Sequence, residues 1–436
     1  MRDGMPLVAH DLHFVRDAGG LAPEWEQFTS LVHDDGLVEV DHPLLPLAPV
    51  LTGLDPVAER TLADRLTAVL DAVERLAERY PVDEDLQRLL GLPPALHDWA
   101  VRDDHPGRHV DYCRFDLGGD STDTAQVFEI GGDFPMSNMC GLLNGYWRRV
   151  AAAGAFTGHY RPARFEEPAW MVDELLDIAA RRGVDPDAQR RVAVLCADSF
   201  RSAGEIRLIE GQIRRRGRAP VTTSPEEFDE DDVRLGFLPF LSRPLVDEPA
   251  RYRRLFQRIA DGDLVVFNGV RGRLVGGNKL TLAALSDPRF RPVFTDAQAA
   301  AIDAVIPWSR KVGDGAGVAD VVADRADLVL KAPFDALSTS VFIGREHDRD
   351  RWRRLVDEGA RHGWLVQRFV RSQYVPTDAG ALRRTLGVMF CGGQVAGYNG
   401  RVTTSLVDEF TSGGLHAVFG NHSAARVNAG AARAAQ

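Results

Sequence analysis

The feature that most constrains the fold is a switch, at residue 112, from helical periodicity to the two-residue alternation of β-strands. Residues 112–118 (YCRFDLG) and 124–133 (TAQVFEIGGD) are β-like runs, and a turn-rich sequence joins them, which predicts a hairpin. Side chains two positions apart share a face of a strand. One face is therefore apolar, and the other gathers Arg114, Asp116, Glu129 and Asp133.

The polar face of this hairpin has two explanations. Carboxylate oxygens suit Mg²⁺, which in proteins usually takes one or two carboxylates together with phosphate oxygens and water. A solvent-facing pair of strands with ordinary ion pairs would have the same sequence pattern. The residues alone leave both open.

Helices and short apolar strands follow one another along the rest of the chain. Apolar residues at helical spacing between Pro56 and Pro81 predict a long helix in a mainly helical N-terminal region. Residues 191–198 are typical of a buried parallel strand, a helix is predicted over 202–216, and residues 264–269 (LVVFNG) are interpreted as a further strand of a βαβ region. Later strands are predicted in DLVLK, SVFIG, WLVQRFV and a hairpin around the Gly-Gly pair of FCGGQV, and residues 421–436 are predicted to fray.

Composition is that of an ordinary globular protein and disfavours several classes of partner. At about 100–200 residues per domain, the 436 residues suffice for several domains, and 44% hydrophobic residues argue against global disorder. The net charge of −11 disfavours nucleic acid and anionic membranes as partners. Scattered cysteines without CxxC spacing, and the lack of an apolar leader or of an uninterrupted apolar run of about 18 residues, predict a cytoplasmic protein.

A second candidate group is basic. Of the 52 basic residues only Lys279, Lys311 and Lys331 are lysines, so each can mark a place that requires a compact, flexible ammonium; chance is the rival explanation. Lys331 ends the strand DLVLK, from which an ammonium could reach phosphates, and a later strand at residues 367–370 (QRFV) could offer backbone hydrogen bonds to an adenine edge. A surface lysine and a plain core strand are the alternatives.

The order of these segments resembles that of the circularly permuted ATP-grasp ligases, the superfamily that includes the synthetase part of glutathionylspermidine synthase. The resemblance covers residues 105–405 and is distributed over six segments. In the family's order these are RFDLG with FEIGGDFP, SFRSAGEIRLIEGQIRRRG, GNKLTLAALSDPRF with VIPWSRKV, DLVLKAPFDALSTSVFIG, WLVQRFV, and LRRTLGVMFCGGQVAGYNGRVTT.

This resemblance implies an ATP-dependent carboxylate–amine ligase that uses ATP and Mg²⁺ and forms an amide or peptide bond through an acyl phosphate. It implies metal carboxylates at Asp116 and Glu129, an arginine near the reacting carboxylate or γ-phosphate at Arg114, and a late arginine facing the phosphates at Arg401. The implied nucleotide contacts are Lys279, Lys331 and the adenine-side hinge strand Gln367, Arg368, Phe369 and Val370.

Two departures from the family pattern bear on activity. Where the family usually has an asparagine two residues after the metal glutamate, this chain has Gly131; Asp133, on the same face, is the candidate replacement ligand, directly or through water. The loop after Lys331 normally carries glycines that cradle phosphate, but here DALSTS offers hydroxyl groups. A non-catalytic nucleotide- or acyl-binding scaffold and a small-molecule kinase therefore stand as alternatives to a ligase.

The expected fold is α/β of the α+β kind, with an ATP-grasp core in circularly permuted order, a smaller α/β domain of the pre-ATP-grasp type and a helical N-terminal region. Residues 1–190 are predicted to contribute helices and the metal-carboxylate hairpin, residues 191–295 a substrate-side α/β domain, and residues 296–436 the nucleotide-binding part with a flexible tail. The implied partners are a small carboxylate and an amine (an amino acid, peptide or polyamine), or a substrate held on a carrier protein. The arginine- and alanine-rich composition is associated with GC-rich bacteria, in which such ligases often serve peptide-like secondary metabolism.

Overall fold

A computed structural model describes most of the chain as helices arranged with three β-sheets. The described residues are 10–11, 23–35, 47–54, 56–121, 123–133, 137–153, 162–198, 204–335, 339–377, 380–406 and 413–420. Helices and strands are both abundant, so the expected α+β class is confirmed. Within these ranges, every helix is too short or too polar to reach across a bilayer.

The largest sheet unites strands from both ends of the chain. The predicted first hairpin is confirmed as β3 (Tyr112–Gly118) and β4 (Gln126–Gly131), and the later one as β14 (Gly380–Cys391) and β15 (Gln394–Thr403). The further strands are β1 (His10–Asp11), β2 (Leu47–Leu54), β13 (Gln373–Thr377) and β16 (Gly413–Gly420). The order is β1–β2–β16–β15–β14–β3–β4, with β13 paired to β14, so the first hairpin lies directly beside the second.

Two smaller sheets complete the described strands. The predicted buried parallel strand is confirmed as β5 (Arg191–Leu195), which lies between β6 (Ala219–Thr223) and β7 (Gly236–Phe237). The five-stranded sheet contains β8 (Ser309–Val312), β9 (Gly315–Ala316), β10 (Leu328–Lys331), β11 (Val341–Ile343) and β12 (Leu365–Arg368). Its order is β11–β10–β12–β8–β9, which confirms the strands predicted in DLVLK, SVFIG and the first part of WLVQRFV.

The described residues also form thirteen α-helices. These are α1 (Pro23–Asp35), α2 (Pro56–Arg79), α3 (Glu84–Leu90), α4 (Pro94–Arg102), α5 (Asn138–Ala153), α6 (Trp170–Arg181), α7 (Gly204–Arg215), α8 (Ser242–Asp247), α9 (Arg253–Ala260), α10 (Leu280–Ser286), α11 (Asp296–Val305), α12 (Val318–Ala323) and α13 (Arg349–His362). The predicted long helix is confirmed as α2, which has Pro56 at its first position and ends before Pro81, because proline lacks an N–H and fixes φ.

The apolar face of the first hairpin lies in the main core. Phe115, Leu117 and Val127 are fully buried in the same cluster as Leu66 and Val69 of α2. Burial of side chains of this size contributes about 1.5–3 kcal/mol each, which fixes which face of the hairpin points inward. The opposite face carries the charged residues and is therefore available to form a functional site.

The strand predicted at residues 264–269 is wrong. Val265 makes only an isolated parallel bridge to Leu235, and the chain then turns at Asn268, whose φ is 64°. The Asn268 amide accepts from the N–H of Tyr112 at 2.8 Å and donates to the carbonyls of Tyr112 and Gly132 at 2.7 and 2.8 Å. This apolar run is therefore a buried turn that ties the start of β3 to the end of β4.

The predicted domain boundaries remain predictions. The hairpin from segment 1–190 pairs with β14 from segment 296–436, so these two segments share one sheet, while β5, β6 and β7 belong to segment 191–295. The tail at residues 421–436, predicted to fray, lies outside the described residues.

Candidate functional site

A cleft opens between the polar face of the large sheet and the five-stranded sheet. It holds about 550 Å³ of space, part of it open to solvent. Its lining consists of Asp116, Phe128, Glu129, Val329, Lys331, Val341, Ile343, Gln367, Phe369, Val370, Arg383, Arg401 and Leu406. Seven of the eleven residues predicted for the site are in this lining: five lie on five different strands, and Phe369 and Val370 directly follow β12.

The acidic wall is formed by the first hairpin. Asp116 and Glu129 are direct register partners across β3 and β4, so both carboxylates lie on one face. Arg114 is not in the lining, but its Nε and Nη2 donate to the two oxygens of Asp116 at 2.5 and 2.8 Å. Burial would lower the pKa of the Arg114 guanidinium, yet the Asp116 carboxylate outweighs it and raises that pKa. Arg114 is thus a fixed positive charge beside Asp116.

Lys279 approaches the same wall from outside the sheet. Its Nζ lies 3.3 Å from Oε1 of Glu129. Lys279 is buried, with 7% of its surface exposed, and lies outside the cleft lining. Burial would raise the pKa of the Glu129 carboxyl, but the charges of Lys279, Lys331 and Arg114 outweigh it and lower that pKa to about 2. Glu129 is therefore ionised at any pH at which the protein would work.

Lys331 forms the opposite wall, at the end of β10. Its buried Nζ donates to the carbonyl of Phe128 at 2.6 Å and to Oε1 of Gln367 at 3.0 Å. Nε2 of Gln367 donates to Oγ of Ser309 at 3.1 Å, which orients the amide so that its oxygen faces the lysine. Gln367 therefore positions the Lys331 ammonium next to the hairpin.

Of the predicted hinge strand, residues 367–370, only the first two residues belong to β12; the last two follow it. Arg368 is exposed and outside the lining, and its N–H donates to the carbonyl of Trp308 at 2.9 Å. The N–H of Phe369 donates to the carbonyl of Asp327 at 2.8 Å. Phe369 and Val370 both line the cleft. Apolar side chains, rather than those two N–H groups, are what this segment presents to the cleft.

Two arginines lie where the cleft meets the second hairpin. Arg401 of β15 is opposite Thr385 of β14, and Arg383 is two positions before Thr385, so both arginines share the polar face. Nη1 of Arg383 donates to the carbonyl of Leu406 at 2.7 Å. Arg383 was missed by the sequence analysis, although the alternation within ALRRTLG would have placed it on the Arg401 side once the pairing was known.

Asp133 lies apart from the cleft. Its Oδ2 accepts the N–H of Ser242 at 2.9 Å, its Oδ1 accepts from the Ser242 hydroxyl, and Nη1 of the buried Arg273 lies 3.5 Å from Oδ1. These contacts hold the carboxylate at the start of α8. The structure therefore does not bring Asp133 together with Asp116 and Glu129 as the substitute for an asparagine at Gly131.

A second polar cluster, Asp103, His105 and His109, lies outside the cleft, with ligand-type atoms within 4.8 Å of one another. Nη1 of Arg271 is 2.9 Å from Nε2 of His109, and because a guanidinium only donates, the neutral ring carries its proton on Nδ1. A protonated ring nitrogen cannot bind a metal. Asp103 in turn accepts the N–H of Arg271 at 2.7 Å, so we interpret the cluster as a buried polar network.

Comparisons with known proteins add little. No protein-family profile matches the chain, and no curated protein matches it. Among solved structures, the chain is similar to a "Putative gamma-glutamylcysteine synthetase" from Methylobacillus flagellatus KT, at 12% identity and a TM-score of 0.38, with 79% of this chain and 83% of that chain covered. So loose a likeness carries no argument about activity.

Proposed function

We propose that this protein is an ATP-dependent carboxylate–amine ligase that binds ATP in the cleft. The observation that carries the proposal is the contact of Lys331 with the carbonyl of Phe128, the residue before Glu129, across 203 positions of sequence. The ammonium group of Lys331 thereby faces the carboxylates of the hairpin across one cleft. A triphosphate with its Mg²⁺ requires both kinds of group at close range.

The residues of the acidic wall fit a Mg²⁺ site. Asp116 and Glu129 supply two carboxylates on one face, and the Glu129 side chain keeps 30% of its surface exposed. Its low pKa keeps it ionised, as a metal ligand must be. Bound there, Mg²⁺ would supply charge neutralisation to the phosphates.

The proposed reaction consists of two displacements. An oxygen of the substrate carboxylate attacks the γ-phosphorus, the bond to the β–γ bridging oxygen breaks, and ADP leaves. The nitrogen of an amine then attacks the acyl carbon, the bond to the phosphate oxygen breaks, and inorganic phosphate leaves while the amine proton passes to solvent. In this scheme Lys279, Lys331 and Arg401 neutralise and hold the phosphates, and Arg114 faces the reacting carboxylate.

Glu129→Gln tests the proposal. The variant keeps the shape of the side chain but loses its charge, so it should fold normally and lose the extra thermal stabilisation that Mg²⁺ gives to ATP binding. ADP release with mixtures of carboxylates and amines should fall by about 10²-fold or more. The exposed Glu84→Gln in α3 is the matched control and should behave as wild type. Unchanged ADP release in Glu129→Gln would remove this residue from the mechanism.

One observation favours a second function, a nucleotide-binding scaffold without catalysis. The chain's own cations already pair with both carboxylates, Arg114 with Asp116 and Lys279 with Glu129. Such a cleft could bind a nucleotide without metal. Equal thermal stabilisation by ATP with and without Mg²⁺, and no ADP release, would support the scaffold. Hydroxylamine, which converts an acyl phosphate to a hydroxamate, separates a ligase from a kinase.

A further inference from the structure

Asn399 lies in one row with the cleft carboxylates. Glu129 is opposite Asp116, Asp116 is opposite Gly387, and Gly387 is opposite Asn399, so the row crosses β4, β3, β14 and β15. Residues directly opposite each other share a face of a sheet. Arg401, two positions after Asn399 on the same strand, lines the cleft on that face.

Because Gly387 has no side chain, the Asn399 side chain can extend over it toward Asp116. A β-carbon at Gly387 would lie 2.0 Å from Oδ1 of Asn399 and 3.1 Å from Cδ of Arg114. The amide oxygen therefore occupies the space above Gly387, beside the Arg114 side chain that is bonded to Asp116. A larger residue at position 387 would displace it.

The Asn399 oxygen is a buried acceptor without a donor. Asn399 is 4% exposed, and its Oδ1 receives no hydrogen bond from the part of the chain that the structure describes. The same side chain hydrogen-bonds Cys140, which leaves the NH₂ end on the thiol and the oxygen end above Gly387. The positive charge of Arg114 favours this orientation of the amide. A buried carbonyl left unpaired is costly, and such groups concentrate at functional sites.

We propose that Oδ1 of Asn399 accepts a hydrogen bond from the N–H group of the amine substrate and so positions its nitrogen for attack on the acyl carbon. The inference rests on the proposed ligase function and deepens it by giving the amine a place. A carbonyl oxygen only accepts, so it selects a donor over a carboxylate or phosphate.

Asn399→Leu, which keeps the number and branching of the side-chain heavy atoms but has no acceptor, tests this placement, with hydroxylamine as the neutral amine probe. In wild type saturated with a non-hydrolysable ATP analogue and Mg²⁺, hydroxylamine should give a further, saturable rise in Tm. In Asn399→Leu this response should weaken at least tenfold in apparent Kd, while the response to the ATP analogue stays unchanged. The unliganded variant should be as stable as wild type or more stable, because the unpaired acceptor is gone. Asn399→Ala should lose the same response without added bulk.

Asn144 provides the matched control. It is also buried, but its Nδ2 donates to the carbonyl of Tyr398 at 3.1 Å, so Asn144→Leu should lower Tm and keep the hydroxylamine response. A drop in Tm for Asn399→Leu comparable to that control, an unchanged hydroxylamine response in Asn399→Leu, or no response in wild type would each overturn the inference. Failure of the ligase proposal itself would appear separately, as the lack of Mg²⁺-dependent stabilisation by ATP in wild type.

Discussion

Two glutamates show how burial and neighbouring charges together set the pKa of a carboxyl group. Ammonium and guanidinium groups hold the pKa of Glu129 at about 2, as described above. Burial raises the pKa of Glu205 to about 7, although its oxygens accept the N–H groups of Asn138 at 3.1 Å and Met139 at 2.8 Å. Glu205 thus caps the start of α5 at a cost that grows with its ionisation, whereas Glu129 is held in the form that a cation can use.

The pair His105 and His109 predicts a loss of stability in mild acid. Burial lowers the pKa of His105 to about 4 and that of His109 to about 3, and Arg182 and Arg271 act in the same direction. Unfolded histidine binds a proton near pH 6.5, so between pH 6.5 and 4 the unfolded chain binds more protons than the folded one. The contribution of these two histidines to the free energy of unfolding should therefore fall as pH falls through this window, whereas Glu205, with its raised pKa, contributes in the opposite direction. Urea titrations of wild type and of a histidine variant across this window separate the two contributions.

Substitution of one ring isolates this contribution. In His105→Phe, which keeps a ring beside His109 (ring centroids 4.5 Å apart and tilted by 50° in wild type), stability should rise relative to wild type as pH falls from 6.5 to 4. His362→Phe, at the exposed end of α13, should leave the pH dependence almost unchanged. Identical curves for His105→Phe and wild type would contradict a buried neutral His105.

At the scale of elements, a glycine-rich π-helix (Gly272–Gly276) leads the chain to Lys279 at the acidic wall. A β-carbon at Gly272 would lie 1.7 Å from the carbonyl oxygen of His109, and one at Gly132 would lie 2.8 Å from the N–H nitrogen of Gly277. The backbones of these segments therefore touch without intervening side chains, and the chain reaches Lys279 within hydrogen-bonding range of Glu129. The sequence GVRGRLVGG, which superficially resembles a nucleotide loop, serves close packing in the structure.

The third lysine, Lys311, caps the C-terminus of α3 and does not line the cleft. Nζ of Lys311 donates to the carbonyls of Arg88 and Leu89 at 2.9 Å each, at the C-terminus of α3. Lys311→Met keeps the aliphatic stem and should lower the free energy of unfolding by about 1–3 kcal/mol, since charged donors to helix-end carbonyls contribute about that much. Chemical denaturation would measure the loss, and ATP binding should be unaffected. Lys331→Met is the counterpart and should weaken ATP binding.

At the scale of the whole molecule, individual helices and strands could be predicted from the sequence more accurately than the pairing between distant strands. The alternation in residues 112–118 defined the polar face of β3, because one side chain in two is buried in the main core there. A register shift interrupts the alternation in β4, where the neighbours Phe128 and Glu129 both line the cleft. The run at 264–269 was mistaken for a strand, because an apolar run alone does not distinguish a strand from a buried turn such as that at Asn268.

The parts of the site that sequence reasoning missed depend on pairing between distant strands. Arg383 and Asn399 share the polar face only through the register of β14 with β15 and of β14 with β3, and the β14–β15 pairing includes an irregularity between Met389 and Phe390. A slip of one residue would turn both side chains to the other face. Alternation predicted Asp133 on the hairpin face, but Asp133 follows the end of β4 and its partner Ser242 comes from a helix 109 positions away.

The same architecture predicts that a nucleotide would act on two sheets at once. The cleft walls belong to β3 and β4 on one side and to β10 and β12 on the other, and the contact of Lys331 with Phe128 joins them. A non-hydrolysable ATP analogue with Mg²⁺ should therefore slow amide hydrogen exchange in all four strands together, because opening of the cleft would require release of the ligand. The three-stranded sheet of β5, β6 and β7 contributes nothing to the lining and should keep its exchange rates, which makes it the internal control. Protection confined to one wall would mean that the nucleotide binds one sheet alone, and the proposal of a shared triphosphate site would then be wrong.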